Sequence, residues 1–332
     1  MRAPKFVPIG LLGLLTVGGA CSDSNSSSTT NSSSTTNSTS ASKSFLMGVS
    51  TLPFIDSAPY YLAVQKGYFN DAGVTVTTNA RSGEGTVVTA LVNGTDQCGF
   101  AGTSAILQAA EKGLPVKIVG QLTKITTVPA EDTGLVLVRG DSAIQSAADL
   151  NGKSVAVGSL KGGGELSLRA AVDIKGGDSS TLKIIEIPLP NMAASLKAGD
   201  VDAISTISPF DGPALADGAR QILSPGATAA PDTTQLAVAC STKFIEENPA
   251  ALKAFLTALN RATDEIAATP SIAKDVLPTF SDIPTDIIKV IKLPVFSSKA
   301  TAAGVQRWVD LMVKYGFIAN PLSLDIVYYE AS

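Results

Sequence analysis

Residues 58–120 read APYYLAVQKGYFNDAGVTVTTNARSGEGTVVTALVNGTDQCGFAGTSAILQAAEKGLPVKIVG. Two patterns alternate in this stretch. Residues 74–79, 97–101 and 116–121 are short runs bounded by glycine and polar residues, the signature of strands. Between them, 59–67, 85–92 and 103–112 read as helices, and the second closes on Asn93-Gly94, the expected C-terminal stop. Strand–helix alternation with short loops implies a mainly parallel sheet covered on both faces.

The same pattern extends outward on both sides. Residues 44–50 (SFLMGVS) predict a first strand. Downstream, 134–138 predicts a strand, Gly162-Gly163-Gly164 leads into a helix over 165–174, and 182–187 predicts another strand. A helix over 191–197, a strand over 201–204 and Pro209-Phe210-Asp211 follow. Residues 235–240 read as a strand, and 248–268 as an amphipathic helix with Leu252, Phe255, Leu256, Leu259 and Ile266 on one face. Val305, Trp308, Val309 and Met312 form a similar stripe in the last long helix. That position assigns Trp308 to the core rather than to ligand stacking.

The N-terminus reads as an export signal. Arg2 and Lys5 precede an apolar run over 6–17, which is shorter than the roughly 20 residues a spanning helix needs. Gly18-Gly19-Ala20-Cys21 follows it and predicts cleavage after residue 20 with lipidation of Cys21. Residues 22–42 are almost all Ser, Thr and Asn, too polar to offset the entropy of ordering. Residues 21–43 are therefore expected to form a tether with a reach of about 25 Å. The expected location is extracytoplasmic, in the periplasm or at the cell surface, anchored by lipid to the outer face of the bacterial cytoplasmic membrane.

Composition narrows the function. The chain has 332 residues, 45% hydrophobic and 16% charged, with a net charge of −4. No clustered Lys and Arg run is present, which argues against nucleic acid as a partner. The chain contains no histidine, so Ser-His-Asp and Cys-His catalysis and histidine metal sites are excluded. No Walker loop occurs, and no G-x-G-x-x-G follows the first strand. No cofactor, no metal and no enzymatic activity are expected.

Ala58-Pro59, then Lys66-Gly67-Tyr68-Phe69, then Gly73-Val74-Thr75-Val76 resemble the first lobe of the type 2 periplasmic substrate-binding proteins of ABC importers. The similar branch is the nitrate/sulfonate/taurine and thiamine-precursor (pyrimidine synthase-like) group. The phrase Ala147-Asp149-Leu150-Gly152-Lys153-Val155-Val157 resembles the opening of that family's second lobe. The resemblance implies an α/β fold of two lobes, each a mainly parallel sheet flanked by helices, joined by two hinge crossings. It implies residues 44–138 plus 236–332 as lobe I and 139–235 as lobe II, with crossings at 134–140 and 235–240. It further implies that the return strand lies antiparallel beside the third strand, bringing Cys98 and Cys240 onto neighbouring strands. There they are either disulfide-bonded or two small buried apolar groups.

In this family the solute would sit between the lobes, at the carboxyl ends of the strands. The resemblance places there Ser50, Thr51 and Phe54 after the first strand, Ser82 and Gly83 after the second, and Gly102, Thr103 and Ser104 after the third. Lobe II would contribute Gly158, Ser159, Lys161, Asn191, Ser208 and Phe210. Helix N-termini at Thr103 and near Gly163 would face each other. Their unpaired N–H groups suit an anion, with Lys161 or Arg81 adding charge. The expected solute is small, with a sulfonate- or carboxylate-like head. The expected partners are an ABC permease and its ATPase, the chain itself being a monomer. A ligand-sensing surface lipoprotein, or an enzyme on the same scaffold, is the alternative. The branch's own specificity elements are missing, since Ile207-Ser208 replaces an aromatic-acidic pair and Thr51-Leu52-Pro53-Phe54 replaces Trp-x-Pro-Asn.

Overall fold

The computed structural model describes residues 44–330. The expected signal peptide (1–20), Cys21 and the tether (21–43) lie outside the described residues. The strands are β1 (Phe45–Thr51), β2 (Val74–Ala80), β3 (Cys98–Gly102), β4 (Val116–Lys124), β5 (Gly134–Val138) and β6 (Ser154–Val157). They continue with β7 (Lys183–Glu186), β8 (Ala203–Ile207), β9 (Arg220–Leu223), β10 (Thr234–Ser241) and β11 (Val295–Phe296).

These strands form two sheets, ordered β11-β4-β10-β3-β1-β2 and β7-β6-β8-β5-β9. In the first sheet β1 pairs in parallel with β2 and β3, while β10 runs antiparallel between β3 and β4. In the second, β6 pairs in parallel with β7 and β8, and β5 runs antiparallel between β8 and β9. Each sheet is thus mainly parallel, with one strand inserted against the grain, and the first sheet also carries β11 as an antiparallel edge strand beside β4. Those two strands, β5 and β10, are the first that the chain lays down after passing from one sheet to the other.

Two sequence expectations need correction here. The boundary expected after Val138 falls before Gly134, because β5 hydrogen-bonds to β8 and β9 and is part of the second sheet. The crossings are residues 125–133 and 224–233, not 134–140 and 235–240, which are strands. Strand and crossing were confused because an apolar five-residue run reads the same whichever sheet receives it. The strand β9 and the helix Pro225–Ala229 are too short to carry a periodic signal.

The crossings are stapled to each other. Ile125 N–H donates to the Thr233 carbonyl at 2.9 Å, and Asp232 N–H donates to the Ile125 carbonyl at 3.0 Å. Asp132, 5% exposed, accepts from Gly134 N–H at 3.0 Å and from Ala227 N–H at 2.8 Å. One carboxylate therefore ties the outgoing crossing to the returning one. Burial pushes its carboxyl above the usual carboxylate range, against the hydrogen bonds from Ala227, Gly134 and Gly226.

Beneath the cleft, Asp96 is fully buried and organises the edge of the first sheet. Its carboxylate accepts from Ser50 Oγ, from Asn79 Nδ2 at 2.5 Å and from Arg81 Nη2 at 2.5 Å. Only glycine fits at position 48 beside it, because a Cβ there would stand 2.5 Å from Asp96 Oδ1. Cys98 and Cys240 are directly opposed across β3 and β10 and form a disulfide. The helix Pro249–Ala268 buries Leu252, Phe255, Leu256, Leu259 and Ile266 on the first sheet, each contributing about 2 kcal/mol of transfer free energy. One apolar cluster runs continuously from these residues through Trp308 into Leu166 and Leu168 of the second lobe.

Candidate functional site

The lobes meet along the helix Gly163–Ile174 of the second and the helices Thr103–Glu111 and Ala302–Lys314 of the first. The N-termini of the first two face each other. A Cβ placed on Gly163 would stand 3.1 Å from Ser104 Oγ and 3.5 Å from the Trp308 ring. A side chain at 163 would crowd the Ser104 hydroxyl across the junction. Further along the junction, Gln108 Nε2 donates to the Lys161 carbonyl at 2.6 Å. Lys161 Nζ donates to the Gly316 carbonyl at 3.1 Å and lies 4.7 Å from the Phe317 ring centre. Tyr315 Oη donates to Asp173 Oδ2 at 2.9 Å.

Helix N-termini leave N–H groups without helical partners and attract negative charge. Here the chain supplies that charge itself. Glu84 Oε1 accepts from Gly102 N–H at 2.7 Å, immediately before the helix Thr103–Glu111. Glu165, 3% exposed, accepts from Lys161 N–H at 2.7 Å and from Arg169 Nε at 2.7 Å, at the start of its own helix. Asp56, two residues before the helix Ala58–Gln65, accepts from Thr123 Oγ1 at 2.8 Å. Burial pushes the Asp56 carboxyl above its usual range, the Thr123 hydrogen bond opposing it. Burial does the same to Glu84, against the Gly102 N–H.

The residues expected to line the cleft fall into three groups. Gly102, Thr103 and Ser104 stand at the junction. Ser104 is 2% exposed and faces Gly163, while Thr103 Oγ1 donates to the Thr234 carbonyl at 2.7 Å and so is engaged within its own lobe. A second group is turned into the structure. Ser50 belongs to the Asp96 network, Thr51 Oγ1 shares a hydrogen bond with Tyr61 Oη at 2.9 Å, and Ser208 Oγ accepts from Lys292 N–H at 3.2 Å. A third group is open to solvent: Phe54, Ser82, Gly158, Ser159, Lys161 and Asn191 are exposed, and Gly83 and Phe210 are half-buried. The two cations expected to hold an anion are committed elsewhere, Arg81 to Asp96 and Lys161 to Gly316 and Phe317.

Four residues were not anticipated. Asp56, Ser57 and Glu84 precede or open helices, where an acidic or hydroxyl residue ordinarily reads as a cap. Trp308 lies on an apolar stripe and is buried, as expected for core, yet its ring reaches the lobe junction at Gly163. No pattern in a single sequence distinguishes these from ordinary caps and core.

Two mainly parallel sheets, paired crossings and facing helix N-termini between the lobes define the two-lobed periplasmic binding protein fold. Residues 55–273 match the NMT1/THI5-like family, and the chain belongs to it. A riboflavin-binding protein, RibY of Chloroflexus aurantiacus, is 26% identical over 234 residues, spanning 69% of this chain and 64% of that protein's length. The periplasmic aliphatic sulphonate binding protein SsuA of Escherichia coli has the same fold, with a TM-score of 0.73, 18% identity and coverage of 86% of this chain and 92% of that one. The periplasmic nitrate-binding protein NrtA of Synechocystis aligns with a TM-score of 0.67 and 16% identity, over 86% of each chain. Among the described residues, no helix is long and apolar enough to cross a membrane.

Proposed function

We propose that this protein is the extracytoplasmic solute-binding component of an ABC importer. It captures a small solute between its lobes and delivers it to the permease without transforming it. The observation that carries this reading is the lobe junction, where Ser104, Gly163 and Trp308 come together at two opposed helix N-termini. A solute held there touches both lobes at once, so it favours the closed arrangement by its differential affinity. The paired crossings 125–133 and 224–233 are the natural hinge for that motion. Closure then presents a surface formed by both lobes to the permease. The fold shared with SsuA and NrtA and the sequence similarity to RibY support solute binding as the activity. In this reading a lipid on Cys21 keeps the domain beside the membrane, and the domain works as a monomer.

A thermal-shift screen tests the reading. The panel holds alkanesulfonates, taurine, nitrate, riboflavin, aromatic acids and pyrimidines. A true solute at 100-fold excess over its dissociation constant adds about 2.7 kcal/mol of apparent stability. Ser104→Phe places a ring where Gly163 must approach, and it should abolish that shift while the folded baseline is kept. Unchanged calorimetric affinity in Ser104→Phe would refute the location of the site.

A further inference from the structure

Resting on the reading that the lobes open and close about the paired crossings, we infer that residues 315–319 form a strap that latches the closed arrangement, with Lys161 and Asp173 of the second lobe as its catches. Lys161 then acts on solute affinity as a positioning residue, through the strap, and not by gripping the solute.

The strap follows the helix Ala302–Lys314 and is fixed to the first lobe. Gly316 has a φ of 66°, a left-handed conformation that glycine adopts without strain. Phe317 N–H donates to the Met312 carbonyl at 2.8 Å, and Ile318 N–H donates to the same carbonyl at 3.3 Å. Phe317 and Ile318 are buried, and Ala319 N–H donates to Glu111 Oε1 on the helix Thr103–Glu111.

Two catches reach the strap from the second lobe. Lys161 Nζ donates to the Gly316 carbonyl and lies over the Phe317 ring, where a cation is attracted to the aromatic face. Tyr315 Oη donates to Asp173 Oδ2, and Asp173 Oδ1 is held within the second lobe by Ser179 N–H at 2.8 Å. Burial, with Asp173 beside it, pushes the Tyr315 hydroxyl up to about 12, so at neutral pH the phenol keeps the proton it donates. Lys161 stands just before the helix Gly163–Ile174 and Asp173 in its last turn, so the strap holds this helix, about 18 Å long, at both ends. The backbone at Lys161 is itself constrained. Its φ is 58°, uncommon for a residue with a side chain and retained only where the surroundings hold it. Its N–H donates to Glu165 Oε2, its carbonyl accepts from Gln108 Nε2 of the first lobe, and its ammonium is on the strap.

The helix before the strap starts at the hinge. Arg307 Nη2 donates to the Ala229 carbonyl at 2.9 Å, and a Cβ on Gly304 would stand 3.5 Å from Thr233 Cα; both partners belong to the returning crossing 224–233. From Gly304 to Tyr315 the helix runs about 16 Å. Contacts at its start lie by the axis of rotation and survive opening, whereas those at its end lie far from the axis and part. Trp308 sits between, with its ring edge against Gly163, so opening uncovers it. Every catch is made by the chain's own groups, so the latch favours closure whatever the solute is.

Trp308 is the single tryptophan of the chain and reads the latch directly. The test is acrylamide quenching of its fluorescence in the full chain, without solute and with excitation where tyrosine does not absorb. An exposed hydrogen bond is worth about a threefold factor in the ratio of closed to open forms, so Tyr315→Phe combined with Lys161→Met shifts that ratio about tenfold toward open. The quenching constant should rise at least about twofold in the double variant, with far-UV circular dichroism unchanged. Lys161→Arg keeps a cation over Phe317 and a donor for Gly316, and it should quench like the unmodified protein. If the double variant loses its folded dichroism signal, each single variant is read instead and should show a smaller rise. Unchanged quenching in the folded variants overturns the inference, as does Lys161→Arg quenching like Lys161→Met. The cleft reading is tested separately, by the thermal-shift panel and Ser104→Phe, so the latch can fail while solute binding stands.

Discussion

Removing the bond between Cys98 and Cys240 should weaken the fold more than any other two-atom change. The cysteines are 142 residues apart in sequence, so the bond closes a loop that contains the whole second lobe. In the chain-entropy treatment, a loop of that length withholds about 5 kcal/mol of freedom from the unfolded chain. Both cysteines are fully buried, so Cys98→Ala/Cys240→Ala also opens a small cavity, adding roughly 1 kcal/mol. The two effects separate experimentally. Protein reduced while unfolded and refolded with its thiols blocked against reoxidation retains both sulfurs, so it loses only the link. The single tryptophan of the chain, Trp308, is buried and reports unfolding by fluorescence. With a urea dependence of about 3 kcal/mol per molar, the midpoint should fall by about 1.5 M on reduction and slightly further in the double alanine variant. Cys98 begins β3 and Gly102 ends it, so the bond lies about 13 Å from the cleft edge, and solute affinity under stabilising conditions should be unchanged. A midpoint that moves by less than about 0.3 M in both proteins would refute the entropic argument.

Asp96→Ala removes the acceptor of Ser50, Asn79 and Arg81 together; a loss of about 3 kcal/mol in a denaturation experiment is expected, and a loss below about 1 kcal/mol would show that water replaces the network. Asp132 predicts a pH slope of a particular sign. Its folded-state carboxyl is pushed up by burial, so its contribution to stability is present at acid pH, below the unfolded value, and is lost as pH rises through the raised folded value. Asp132→Asn should flatten that part of the profile in urea titrations run from the acid side of the carboxylate range to neutrality. A steeper slope in the variant would mean that the hinge carboxyl is favoured in its charged form.

Much of the fold was legible because its signals are local. The helix over Pro249–Ala268 and the strands β1 to β4 follow from periodicity and from glycine at the joints, which depend on a few neighbours in the chain. The disulfide was legible only through resemblance to a family, since nothing near either cysteine says which strand lies beside it. The crossings were misplaced because β5 is an apolar run that either sheet could accept, and a partner strand 70 residues away decides the matter.

The cleft was less legible than the fold. A serine or threonine after a strand is the same letter whether it faces a solute or caps a helix, and Ser50, Thr51 and Thr103 proved to be engaged within their own lobe. Arg81 looked like a free cation until the buried Asp96, 15 residues away, was found beside it.

By itself, then, the sequence determined the alternation of strands and helices and the exclusion of histidine chemistry, because these depend on composition and short-range periodicity; the division into two lobes was legible only through resemblance to a family. The tertiary structure alone decided which polar groups remain open between the lobes. Charge in a cleft is a sum over residues brought together from distant parts of the chain. Ser104, Gly163 and Trp308 acquire a shared meaning only when the two lobes meet.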